Sequence, residues 1–350
     1  MEDLGPVRVL VTGHHGYIGS VTTSALTTAG YEVVGLDSFL FEGCDFGPVG
    51  EVVPSLRADV RDVGPSELEG FDAVVHLAAL SNDPLGALDP ELTEEVNFRA
   101  TVRLARAAKD AGVARFVFAS SCSMYGVTDG DRPIHEEAPL RPLTAYARSK
   151  AHAEEGLLAL GDDGFSPVLM RNATVYGVSP RLRADLVLNN LVGWAVTTGK
   201  VRILSDGTPW RPLLHVRDAA AATIALLEAP RELVHGEAFN VGRDQENYQV
   251  RDLADIVSEA VGGCEVEYAG TGDVDSRSYR VDFGKLARTF PELSLLWTAE
   301  AGAQELAHAY RAESMTLEEF EGSRYTRLRH LQESLGAGAL DEELRWRVAA

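Results

Sequence analysis

Residues 7–19 read Val7-Arg8-Val9-Leu10-Val11-Thr12-Gly13-His14-His15-Gly16-Tyr17-Ile18-Gly19, an apolar run that passes directly into three glycines. The run reads as a short, buried parallel strand, and the residues after it as a helix over about 20–29, stopped by Gly30. Glycines at such a turn permit a tight bend and close approach to the backbone. The helix N-terminus then offers free N–H groups and a positive dipole to a pyrophosphate. The spacing is GxxGxxG, so the motif draws its weight from the strand–turn–helix context. His14 and His15 are adjacent and lack further ligands, so no metal site is read here.

Moving outward, a second strand at residues 32–36 ends in Asp37, 18 residues beyond Gly19. A carboxylate there accepts from both hydroxyls of an adenosine ribose and repels a 2′-phosphate. No Arg or Lys follows before Arg57, which favours NAD over NADP. Asp59-Val60 is expected at the end of a third strand, beside the adenine; the alternative is a solvated turn acid. A strand at residues 71–79 ends in Leu77-Ala78-Ala79, whose small residues leave room for the cofactor, while His76 reads as a packed core histidine. Asn82, in the polar loop that follows, lies at the strand end where open α/β sheets bind ligands.

A strand at residues 115–119 delivers Ser120-Ser121-Cys122-Ser123 to the same edge. The next helix carries Tyr146 and Lys150, four residues apart and therefore on one face. An ammonium beside a phenol favours the phenolate, which suits Tyr146 to acid/base work near neutral pH. YxxxK alone is a weak signal and also fits an amphipathic helix with a snorkelling Lys. The glycine turn and the serine pair give it weight.

The 350 residues carry 53 acids against 32 bases, a formal charge of −21. Bulk binding to nucleic acid or an anionic membrane is excluded on that balance, and an anionic ligand needs a local basic cluster. Cys44, Cys122 and Cys264 show no metal spacing and read as reduced thiols. No signal-peptide pattern or apolar run of transmembrane length is seen, so a cytoplasmic protein is expected.

The pieces TGHHGYIG, Asp37, ADVRD, HLAA, Asn97 in VNFRAT, SSCSMYG, YARSK, RNATVYG, RPLLHVRD and FNVG stand in a specific order over residues 7–300. Together they resemble the extended short-chain dehydrogenase/reductase superfamily, in its NAD-dependent epimerase/dehydratase family acting on nucleotide sugars. The resemblance implies an α/β fold: a Rossmann-type doubly wound parallel sheet with a smaller C-terminal substrate-binding lobe. It divides the chain into a cofactor core (1–178 with 212–242), a lobe (179–211 with 243–310) and a helical extension (311–350). It implies bound NAD at Gly13, Gly16, Tyr17, Ile18, Gly19, Asp37, Asp59, Val60, Leu77, Ala78, Ala79, Tyr146 and Lys150. Ser121 would orient the sugar oxygen, Tyr146 would take its proton, and Lys150 would bind the nicotinamide ribose and lower the tyrosine pKa.

Substrate contacts are expected from Asn82, Ser123, Asn172 and Asn189, with Arg211 and Arg277 on the diphosphate. The family's 4,6-dehydratases carry an Asp-Glu pair after the catalytic Ser/Thr. Cys122 and Ser123 stand there instead, which argues against water elimination. His215 is expected to be structural and Asp218 to cap the next helix. Residues 315–346 extend past the family pattern, either packed on the lobe, joined to an oligomer contact, or as a loosely held tail.

The reading favoured is an NAD-dependent nucleotide-sugar epimerase, acting at C4 by transient oxidation, on a UDP-, dTDP- or GDP-linked sugar, as a homodimer. A dehydrogenase or ketoreductase with net redox uses the same residues. A non-catalytic NAD-sensing regulator is the remaining alternative.

Overall fold

A computed structural model describes residues 6–48, 53–81, 86, 89–127, 132–268 and 277–347. The first half runs β1 (Arg8–Thr12), α1 (Tyr17–Thr28), β2 (Glu32–Asp37), β3 (Ser55–Arg57), β4 (Ala73–His76), α2 (Ala100–Asp110), β5 (Arg115–Ser121), α3 (Ala145–Leu158), β6 (Ser166–Asn172) and β7 (Thr174–Tyr176). The second half runs α4 (Val187–Thr198), β8 (Lys200–Ile203), β9 (Trp210–His215), α5 (Val216–Glu228), β10 (Ala238–Val241), β11 (Asn247–Gln249), α6 (Val250–Val261), β12 (Glu265–Tyr268), α7 (Ala299–Ala312), α8 (Leu317–Glu321) and α9 (Arg327–Gly336).

Strands β3-β2-β1-β4-β5-β6-β10 form one parallel sheet. Its two faces explain why the strands read as near-continuous apolar runs. Val9 and Val11 pack with Leu26 of α1 and Leu226 of α5 on one side, and Leu10 with Leu104 of α2 and Leu157 of α3 on the other. Each such buried side chain contributes about 1.5–3 kcal/mol. The chain order reverses between β1 and β4, and a crevice opens there at the carboxyl ends of the strands.

The helical stretch from Pro90 to Asp110 changes its winding partway. Pro90–Glu94 leads into a wide turn at Glu95–Arg99 before α2 begins. That turn buries Asn97, whose Oδ1 accepts from Leu80 N–H at 2.8 Å and whose Nδ2 donates to Leu80 O and Ser149 Oγ. Asn97 thereby ties the loop after β4 to α3.

The second core gathers Leu188 and Leu191 of α4, Val257 of α6 and Leu306 of α7 beside the paired strands β8 and β12. The sheet β11-β9-β7 bridges this lobe to the main body and carries Arg211. His215, not Asp218, caps α5, accepting from Arg217 N–H at 3.2 Å. Asp218 sits one turn in and accepts instead from Leu296 N–H and Trp297 N–H at 3.2 and 3.0 Å. The helix start was correctly expected there, but the carboxylate serves the chain that leads into α7.

The C-terminal extension packs on both halves of the molecule. Phe320 of α8 packs against α4, where a Cβ on Gly193 would come within 2.0 Å of its ring. Beyond it, Leu331, Leu340 and Leu344 enclose Leu80 from the cofactor half. Trp346 Nε1 donates to Ser38 O at 2.7 Å, and Arg345 pairs with Asp62. Among the described residues no helix is long and apolar enough to cross a membrane.

Candidate active site

The crevice is a cleft of about 430 Å³ between the sheet edge and the lobe. At its floor the glycine turn has the geometry a dinucleotide needs. Gly13 has φ of 73°, and a Cβ there would lie 2.7 Å from Ala78 N. A Cβ on Gly19 would lie 2.0 Å from Gly13 O. Helix α1 starts at Gly16 with no side-chain cap, so its first N–H groups face the cleft unfilled by the protein's own side chains. Asp37 ends β2 at the rim, with its carboxylate accepting from His15 N–H at 3.0 Å and Phe39 N–H at 2.7 Å. Burial pushes its carboxyl pKa up against those donors. A cradle closed to side chains, an open helix end and a carboxylate at the ribose position fit NAD.

Asp59 and Val60 also line the cleft, but Asp59 is held by Arg61 at 2.6 and 2.9 Å. Leu77, Ala78 and Ala79 form the wall beside the glycines. His76 lies beneath them in the core, within 2.6 Å of Thr12 Oγ1 and 2.8 Å of Thr101 Oγ1, and burial holds its pKa down to about 3.

Ser121, Tyr146 and Lys150 meet at the cleft. Ser121 ends β5, and its Oγ accepts from Ser123 N–H at 3.1 Å and donates to Ser123 Oγ at 2.9 Å. Thr144 caps α3, accepting from Ala147 N–H at 3.1 Å, and so fixes the helix that carries the other two. Lys150 is 2% exposed. Its Nζ donates to Ala119 O at 2.8 Å and lies 4.5 Å from the Phe118 ring centroid and 6.0 Å from that of Tyr146. Burial lowers its pKa to about 7, while the nearby Glu154 carboxylate pulls the other way.

Behind the triad lies a buried polar network. Glu154 pairs with Arg171 at 2.6 Å and accepts from Ser120 Oγ at 2.5 Å. Arg171 also donates to Tyr125 Oη at 3.0 Å, and Tyr125 in turn to Asn240 Oδ1 at 2.7 Å. Cys122 is fully buried within this network and donates to Arg171 O at 3.1 Å. Burial drives its thiol pKa well up, so it stays a packed thiol away from the cleft.

Of the residues expected to contact substrate, Ser123, Asn172, Arg211 and Arg277 line the cleft. Asn172 Oδ1 is buried without a hydrogen-bond partner among the described residues. Arg211 Nη1 donates to Trp210 O at 2.9 Å and to Arg277 O, which holds the two arginines together. Asn82 falls outside the described residues. Asn189 is placed elsewhere: it is fully buried, its Oδ1 accepts from Gly177 N–H at 2.9 Å, and its Nδ2 donates to Arg183 O at 2.9 Å. It supports the irregular chain after β7 and does not line the cleft.

Sequence reasoning missed His15, Ser81, Arg183, Arg327 and Leu344 as cleft residues. The only signal for Arg183 was its position in the loop before Asn189. Arg327 and Leu344 lie beyond the family pattern and had none. The cleft gathers six basic side chains, namely Arg61, Lys150, Arg183, Arg211, Arg277 and Arg327, against Asp37, Asp59 and Asp185. This is the local positive site that a chain of charge −21 needs for an anionic ligand.

Comparison with known proteins agrees with this geometry. The profile of the NAD dependent epimerase/dehydratase family matches residues 9–242. The chain is 30% identical over 338 residues to the UDP-glucose 4-epimerase of Bacillus subtilis, covering 88% of this chain and 97% of that one. It is 33% identical to UDP-glucose 4-epimerase 4 of Oryza sativa subsp. japonica, covering 85% and 87%. The solved structure of MoeE5 in complex with UDP-glucuronic acid and NAD aligns with a TM-score of 0.75 at 28% identity, covering 88% and 99%. With its Rossmann-type sheet and its NAD-shaped cradle, the chain belongs to the NAD-dependent epimerase/dehydratase family of enzymes.

Proposed function

We propose that this enzyme is a nucleotide-sugar 4-epimerase whose substrate is a UDP-sugar. The observation that carries the reading is the meeting of Ser121, Tyr146 and Lys150 at one cleft that also holds Arg211 and Arg277. NAD, held by the glycine turn and Asp37, supplies a hydride acceptor that can return what it takes. Tyr146 Oη accepts the proton of the C4 hydroxyl while Ser121 Oγ holds the same oxygen. Lys150, one helical turn away, favours the phenolate when it holds its proton. Arg211 and Arg277 grip the diphosphate, leaving the sugar ring free to turn. After rotation Tyr146 Oη returns the proton to the alkoxide on the other face.

Two features support epimerisation over its rivals. Cys122 is a packed thiol and Ser123 a hydroxyl, so the acid/base pair that elimination needs is missing from those positions. The C-terminal segment that lines the cofactor half favours a retained dinucleotide, which suits a redox-neutral cycle. The names of the relatives favour a UDP-linked sugar.

The test is incubation of purified protein with UDP-, dTDP- and GDP-sugars without added cofactor. A C4 stereoisomer with no accumulated NADH is expected, and Tyr146→Phe should abolish turnover while keeping its bound NAD. Stoichiometric NADH with a keto-sugar would overturn the epimerase reading in favour of net oxidation.

A further inference from the structure

Arg327 reaches the cleft from beyond the family pattern. It enters from the C-terminal extension, at the start of α9, and is 4% exposed. Its Nη2 donates to Arg181 O at 3.0 Å, and its guanidinium lies 4.1 Å from the Phe41 ring centroid. Its Nη1 is buried with no hydrogen-bond partner among the described residues. The other arginines nearby are committed: Arg183 to Asp185 at 2.6 and 3.0 Å and to Ser81 Oγ at 3.1 Å, and Arg181 to Asp45. No carboxylate is paired with Arg327 in the described residues.

Arg327 lines the cleft, with the Cys44 thiol and no paired carboxylate beside its guanidinium, and a buried guanidinium in that setting costs free energy unless an anion completes it. The anion's place follows from the neighbours. Phe41 and Leu40 continue the chain from Asp37, and Arg181 contacts His15, which adjoins the open N-terminus of α1. Arg327 therefore stands on the cofactor side of the cleft, whereas the Arg211–Arg277 pair stands on the other. We propose that Arg327 is a ligand of the dinucleotide pyrophosphate, closing over it from the C-terminal extension opposite the N–H groups of α1. Burial and the charge of Arg183 lower its pKa to about 10, against the opposing pull of Cys44 and Asp185. Leu344 lines the same cleft, and the neighbouring Arg345 and Trp346 anchor the segment to Asp62 and Ser38. The extension is thus part of the cofactor site, a role that rests on NAD binding and not on the 4-epimerase reading.

The test uses the full chain, stripped of dinucleotide, titrated with NAD, ADP and adenosine. Arg327→Met keeps the aliphatic stem against Phe41 and removes charge and donors. It should weaken NAD and ADP about 10- to 100-fold and leave adenosine within about twofold. Purified variant should also carry less bound NAD and release it faster. Unchanged NAD and ADP affinity would overturn the proposal, as would an equal loss for adenosine, which marks a packing effect. A loss confined to UDP measured on the NAD-loaded chain would assign the guanidinium to the substrate diphosphate and overturn it too. If Arg327→Met does not fold, Arg327→Lys decides by the same ratio: ADP weakened with adenosine unchanged supports the contact, and equal affinities overturn it. Failure of the sugar panel leaves these titrations unaffected, so the two readings fail separately.

Discussion

Lys150→Met tests the electrostatics of the proposed catalytic group. The ammonium is almost wholly removed from water, with a carbonyl at 2.8 Å and an aromatic face at 4.5 Å. Burial lowers its pKa from 10.5 to about 7, against the opposing pull of Glu154. Between those values the unfolded chain holds a proton that the folded chain has released. A depressed folded pKa favours the folded state above the unfolded value, and that advantage is lost as pH falls through the folded one. The wild-type protein should therefore gain about 2 kcal/mol of stability relative to Lys150→Met between pH 7 and 9, at up to ~1.4 kcal/mol per pH unit. Near pH 7 the variant should be the more stable of the two, since it no longer buries a charge. The assay is urea unfolding of cofactor-stripped protein across that range, taking the difference between the two proteins so that groups titrating alike in both cancel. A flat difference would refute the reasoning, because it would mean that water reaches the ammonium in the folded chain.

Three further outcomes follow from the site. Asp37→Ser should lower NAD affinity about tenfold and narrow the preference over NADP, read by titration with both dinucleotides. Glu154→Gln leaves the Arg171 charge buried without its partner, and urea unfolding should show a loss of about 3–5 kcal/mol. Cys122→Ala removes one bond to Arg171 O and should cost about 1 kcal/mol of stability with turnover within about twofold of wild type. A collapse of turnover in the folded Cys122→Ala protein would instead make the thiol a participant in the chemistry.

The cofactor half was legible because its signals are local. A strand, three glycines and a helix stand within one short stretch, and Asp37 follows at the next strand end. Tyr146 and Lys150 share a helix face by spacing alone, and Ser121 arrives at the end of β5, as expected. Asn189 shows the limit of residue type as a guide. A buried amide serves a ligand or an irregular backbone equally well, and the chain after β7 leaves Gly177 N–H and Arg183 O for it to satisfy. Asp218 shows the same ambiguity, since a carboxylate at a helix start can serve chain from elsewhere. The extension was the hardest part to read. Its helical rhythm was visible, but its contacts with Ser38, Asp62 and Leu80 span most of the chain length and leave no local pattern.

The most direct measurement follows the hydrogen at C4 of the sugar. The enzyme is given a UDP-sugar with deuterium at C4 and no added cofactor, and the products are resolved by NMR. Epimerisation through a transient 4-keto sugar predicts the C4 epimer with its deuterium still at C4 and no accumulated NADH. A keto-sugar formed with stoichiometric reduced cofactor, or an epimer whose deuterium has been replaced by solvent hydrogen, would contradict the account.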